Sequence, residues 1–147
     1  MTSAVDHDIT SEAYMQTMGE RMEDAMQRQA AAARMLIQCK QTVSLARETL
    51  KTLEAEVVIN GGEAEIMIDG RNAETRGAQL IAALTRHPEY TKTQDRLRAA
   101  EREAQECEAD IDSTTNEIRY CRLMLEGGTS LNNRLAGAEA GSRYGGR

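Results

Sequence analysis

Thirteen positions, Met15, Met18, Met22, Ala25, Gln29, Ala32, Leu36, Cys39, Val43, Ala46, Leu50, Leu53 and Val57, recur in alternating steps of three and four, and only Gln29 is polar. Such a spacing keeps one narrow stripe of a helix facing a second helix along its whole length. A complementary stripe follows in the same chain, through Tyr90, Thr93, Leu97, Ala100, Ala104, Cys107, Ile111, Thr114, Ile118, Cys121 and Leu125. The two stripes predict an all-α fold, a long antiparallel helical hairpin of coiled-coil type with a short tip between its arms. A seam of this kind buries little, and the 147 residues carry no Trp, no Phe and four Tyr. Enzyme pockets are commonly walled with aromatic side chains, so the composition points away from catalysis.

Boundaries follow from caps and breakers. Residues 1–10 are short and polar and read as a flexible N-terminus. Ser11 is an N-cap candidate, because its hydroxyl can accept from a first-turn amide. The first arm then spans 11–59, about 45 helical residues or roughly 65–70 Å at 1.5 Å per residue. The tip covers 60–87. Where arm and tip meet, Val57-Val58-Ile59 and Ile66-Met67-Ile68 flank Asn60-Gly61-Gly62, so two readings stand: a small β-hairpin, or a helix that simply ends at the glycines. Asn72 is expected to cap a short helix from Ala73 to about Arg86, with Leu80, Ile81 and Leu84 as its apolar face. Pro88 suits the first turn of the second arm, 88–126. Gly127-Gly128 is expected to stop that arm, leaving 127–147 as a flexible Gly-rich tail.

The register can be stated. With Val57 opposite Tyr90, Cys39 meets Cys107 within a residue, so these two thiols are expected in one core layer. The third cysteine, Cys121, then lies opposite Ala25 or Met26. Small buried thiols are ordinary apolar filler. Beside the seam, Met26, Ala30, Ala33 and Ile37 form a second apolar row on the first arm. A lone hairpin leaves that row wet, which predicts self-association into a dimer or a larger helical bundle.

Charge narrows the partners. The formal net charge is −6, which disfavours broad contact with nucleic-acid phosphates. Acids concentrate on the arms, where Glu101, Glu103, Glu106 and Asp110 form an acidic face. Bases concentrate at the tip: six from Asp69 to Arg98 against four acids. Arg71 and Arg76 sit near a helix N-terminus, where the dipole prefers an acid. Local contradictions of this kind often mark function. Arg71, Asn72, Arg76, Arg86 and His87 are therefore the candidate partner-binding residues; the structural alternative is that Arg76 pairs with Asp69 or Glu74 and braces the turn. No catalytic triad, metal-ligand spacing or phosphate loop is present in the sequence. No cofactor is expected. No stretch approaches the ~20 apolar residues of a membrane span, and the N-terminus lacks a signal-peptide core. With three unpatterned cysteines, this suggests a cytoplasmic protein in a reducing compartment.

The tip also carries a resemblance. The run DGRNAETRGAQLIAAL, followed by HPEY and a heptad arm, resembles small helical-hairpin proteins encoded by bacteriophages and prophages, through Gly70, Arg71, Asn72, Ala73, Glu74, Arg76, Ala78, Leu80, Pro88 and Tyr90. It covers the middle third of the chain. The resemblance implies a host-cell cytoplasmic setting and a neighbourhood of phage recombination or single-strand-binding genes. The resulting expectation is a non-catalytic interaction protein that docks a protein partner in phage DNA metabolism or inhibits a host defence factor. In the inhibitor version, spaced carboxylates occupy a basic DNA-binding groove. Two alternatives stay open. One is a direct nucleic-acid-binding accessory protein using the tip arginines and, in the tail, Arg143, Tyr144 and Arg147. The other is a prefoldin-like assembly factor, suggested by a helix, β-hairpin, helix order.

Overall fold

The computed structural model describes residues 11–60 and 68–144. They form three helices, α1 (Glu12–Asn60), α2 (Ala73–Thr85) and α3 (Pro88–Tyr144), and there is no strand among the described residues. The chain divides into two compact units. Unit one comprises Met1–Ala33 with Ala109–Arg147, and unit two comprises Arg34–Glu108. Each contains a section of α1 packed on a section of α3. Every one of the twenty-four seam positions read from the sequence is buried or half-buried.

In unit one, Ser11 caps α1: its Oγ accepts from the Tyr14 amide at 3.1 Å and its carbonyl from the Met15 amide at 3.0 Å. Met18 and Ala25 of α1 are buried, as are Thr114 and Cys121 of α3. The Thr114 hydroxyl donates to the carbonyls of Asp110 and Ile111, so its burial leaves no polar atom unmet. The pairing is antiparallel. Gln29 Nε2 donates to Thr115 Oγ1 at 2.6 Å, Arg21 reaches Glu117, and Met15 Sδ accepts from Asn132. Gln29, the one polar residue of the first stripe, thus finds a polar partner across the seam. A single satisfied polar pair of this type favours one register over slipped ones.

Here α3 departs from expectation, because it does not stop at Gly127-Gly128 but continues to Tyr144. Gly128 and Asn132 extend the alternation past Leu125; Gly128 is buried and Asn132 half-buried. Packing against α1 therefore outweighs a helix-propensity cost of about 1 kcal/mol per glycine. The packing then ends. From residue 133 to 141 every side chain is exposed. Of the tail residues read as a nucleic-acid contact, Arg147 and the side chains of Arg143 and Tyr144 lie outside the described residues.

In unit two, Cys39, Ala46, Leu53 and Val57 of α1 are buried, as are Ala100 and Cys107 of α3. Two ion pairs flank this seam, Lys40–Glu108 at 3.7 Å and Arg47–Glu101 at 2.9 Å. Both pairs are largely exposed and contribute little energy, but they show the antiparallel sense. The β-hairpin reading is corrected: Val57-Val58-Ile59 lie inside α1, and Ile68 is not in a strand. Val57 falls on the seam period and is 1% exposed. Its burial at helical spacing overrides the local β preference of the triplet. Ile66 and Met67 lie outside the described residues.

Candidate docking site

The tip of unit two is built on a small core. Val57 of α1 packs with Ala83 and Leu84 of α2, and Leu80 and Tyr90 close over them. Asn72 caps α2 through its Oδ1, which accepts from the Thr75 amide at 2.8 Å. At the far end the His87 amide donates to the Leu84 carbonyl, and the Thr91 amide donates to the His87 carbonyl. Pro88 opens α3, where its missing N–H costs nothing. The approach to α2 is tight. Gly70 donates its amide to Gln79 Oε1, while Gln79 Nε2 donates to Asp69 Oδ1. A Cβ at Gly70 would stand 2.9 Å from the Arg76 amide nitrogen and from Thr75 side-chain carbons. Glycine is thus required there by close approach.

Of the five residues read as partner-binding, three present their charge to solvent. Arg71, Arg76 and Arg86 are exposed. Neither Arg71 nor Arg86 has an ion-pair partner among the described residues. Arg76 does not pair with Asp69 or Glu74; its Nη1 donates to the Gly70 carbonyl at 3.4 Å, and Gln79 takes the bracing role. The Asn72 side chain is occupied as a helix cap. His87 is corrected most sharply, since it is 8% exposed and its Nδ1 is buried without a hydrogen-bond partner among the described residues. It belongs to the interior of the tip and not to a surface patch.

Apolar exposure at the tip is the feature that sequence reading missed. Ile81 was expected on the packed face of α2, yet it is 67% exposed, while Ala83 and Leu84 are buried. Leu80, Leu84 and His87 follow at steps of four and three and form the inward stripe. Ile81 lies about 100° round the helix from Leu80. Val58 and Ile59 in the same unit are also exposed, the latter at 78%.

The remaining candidates are scattered. Glu101 is engaged by Arg47, whereas Glu103 and Glu106 are exposed in unit two and Asp110 is exposed in unit one. No cluster of His, Cys, Asp or Glu among the described residues is arranged to hold a metal ion. In unit one Met26 and Ala30 are exposed and Ala33 is half-buried; in unit two Ile37 is exposed.

The densest electrostatic arrangement is in unit one. Glu117 accepts from Arg21 Nε and Arg28 Nη2, both at 2.8 Å, and Arg28 also meets Asp24 at 2.9 Å. Hydrogen bonds from Arg21 and then Arg28 hold the Glu117 carboxyl below its ordinary value. The Arg21 guanidinium also lies 5.4 Å from the centre of the Tyr120 ring, within cation–π range. In unit two, burial raises the Cys39 thiol, helped by the Glu103 carboxylate and by Cys107. No described helix is long and apolar enough to cross a membrane. The chain matches no protein-family model, no curated protein and no solved structure.

Proposed function

We propose that this chain is a non-catalytic interaction protein of bacteriophage or prophage origin, an antiparallel helical hairpin whose tip docks a protein partner in phage DNA metabolism or host defence. The observation that carries the reading is Ile81, an aliphatic side chain 67% exposed on a helix that Leu84, 3% exposed, anchors to the tip core. An apolar anchor on a preorganised element that also carries exposed cationic side chains suits a protein surface, because burial supplies affinity and charge supplies orientation. Arg71, Arg76 and Arg86 provide the cations. Self-association through the exposed Met26 and Ala30 of unit one is part of the proposal.

The decisive experiment compares wild type with Ile81→Asp and with an Arg71→Glu, Arg76→Glu, Arg86→Glu triple variant. Light scattering gives the oligomeric state, and capture from phage-infected host lysate identifies partners. Both variants are expected to keep wild-type helicity and to lose the same captured protein. Capture that ignores both variants would remove the tip from the function. A second reading, direct binding of single-stranded nucleic acid, is favoured by the same three exposed arginines. It predicts binding that weakens steeply between low and moderate salt and disappears in the triple variant. No salt-dependent shift with a short single-stranded DNA would eliminate it.

A further inference from the structure

Cys39 on α1 and Cys107 on α3 are both free thiols, 4% and 7% exposed, and both belong to unit two. The residues that immediately follow them, Lys40 and Glu108, are joined across the seam at 3.7 Å. Of the seam residues next to the pair, Ala104 is small, while Leu36, Val43 and Ile111 are larger and half-buried. Both Cys107 and the Glu103 carboxylate act on the Cys39 thiol and raise it. Cys121 is also free and fully buried, but it belongs to unit one. The molecule thus holds one facing thiol pair and one separate thiol.

We propose that Cys39 and Cys107 form an oxidisable dithiol that hydrogen peroxide closes into an intramolecular disulfide, stapling α1 to α3 within unit two. The chemistry needs one peroxide and both thiols. Whichever sulfur first ionises attacks one peroxide oxygen; the S–O bond forms, the O–O bond breaks, and the expelled hydroxide takes a proton to give water. The facing thiolate then attacks the sulfenic sulfur. The S–S bond forms, the S–O bond breaks, and the second hydroxide leaves as water. Two thiols are oxidised and one peroxide is reduced.

The setting controls the rate. Burial, the Glu103 carboxylate and Cys107 all raise the Cys39 thiol, so little thiolate exists at Cys39 at neutral pH and attack from that sulfur is slow. Raising the pH, or transiently parting α1 from α3, accelerates closure. Once formed, the bond shortens the list of open conformations available to the chain, and unit two resists separation of its helices.

The test uses the full chain treated with hydrogen peroxide, then alkylated and mapped without reduction. The expected product has lost two hydrogens, joins the peptides containing Cys39 and Cys107, and leaves Cys121 alkylated. Its Tm should rise by about 5 °C or more over the reduced protein, and dithiothreitol should reverse the rise. Cys39→Ala and Cys107→Ala should each abolish the cross-link. Mapping of the wild-type protein decides the matter even if either variant folds poorly. Sulfinic acid at both cysteines, disulfide-linked dimers, oxidation of Cys121 at the same rate, or an unchanged Tm would each overturn the proposal.

Discussion

Truncating Leu84 to alanine tests whether the tip is held by packing or by the intrinsic preference of its short helix. Leu84 is 3% exposed and clusters with Val57 and Ala83 in the tip core, with Leu80 and Tyr90 packed against them. The substitution deletes three carbon atoms from that core, worth roughly 2.4 kcal/mol at about 0.8 kcal/mol per buried methylene. A residual cavity adds to this, so a loss of about 3–4 kcal/mol is expected. Helix α2 has only 13 residues and is too short to persist alone in water. The loss should therefore appear as local opening of the tip, with most helical signal retained. Ile81→Ala, three residues earlier and exposed, should cost no more than about 0.5 kcal/mol. Urea denaturation followed by circular dichroism gives the free energies, and amide hydrogen exchange across residues 73–85 gives the location. Equal losses for the two variants, or unchanged exchange in α2 on truncating Leu84, would refute the packing argument.

Acid should weaken unit one through Glu117. Its carboxyl is held below the ordinary value by Arg21 and Arg28, so its stabilisation is fully present above the unfolded-state pKa and is lost as pH falls through the depressed folded one. Thermal midpoints measured from pH 6 down to pH 3 should fall less steeply for Glu117→Gln than for wild type; parallel curves would contradict the assignment. The glycines should respond in opposite directions. Gly70→Ala forces a Cβ to 2.9 Å from the Arg76 backbone and should lower Tm and expose α2 to proteolysis. Gly127→Ala meets nothing within 4 Å in the middle of α3 and should stabilise by up to about 1 kcal/mol.

The heptad spacing alone placed all twenty-four seam residues away from solvent, because burial on a helix is a matter of angle and angle is a matter of residue spacing. The caps Ser11 and Asn72, the start of α3 at Pro88 and the facing of Cys39 and Cys107 were legible for the same reason: each depends on near neighbours or on a register set by the seam. What spacing could not weigh was competition between local preference and packing. Val57-Val58-Ile59 carries a strand preference, and Gly127-Gly128 carries a stop signal. Both yield because Val57 and Gly128 are buried at helical spacing against the opposing helix.

The candidate site was legible only in part. The exposure of Arg71, Arg76 and Arg86 followed from charge. The burial of His87, the outward turn of Ile81 and the bracing of Asp69 by Gln79 are set by how α2 lies on Val57 and Tyr90. That placement depends on contacts between residues far apart in the chain. Sequence by itself determined which faces of the helices pair; only the tertiary structure decided where the helices end and which side of the tip meets solvent, since both depend on long-range burial that no local pattern encodes.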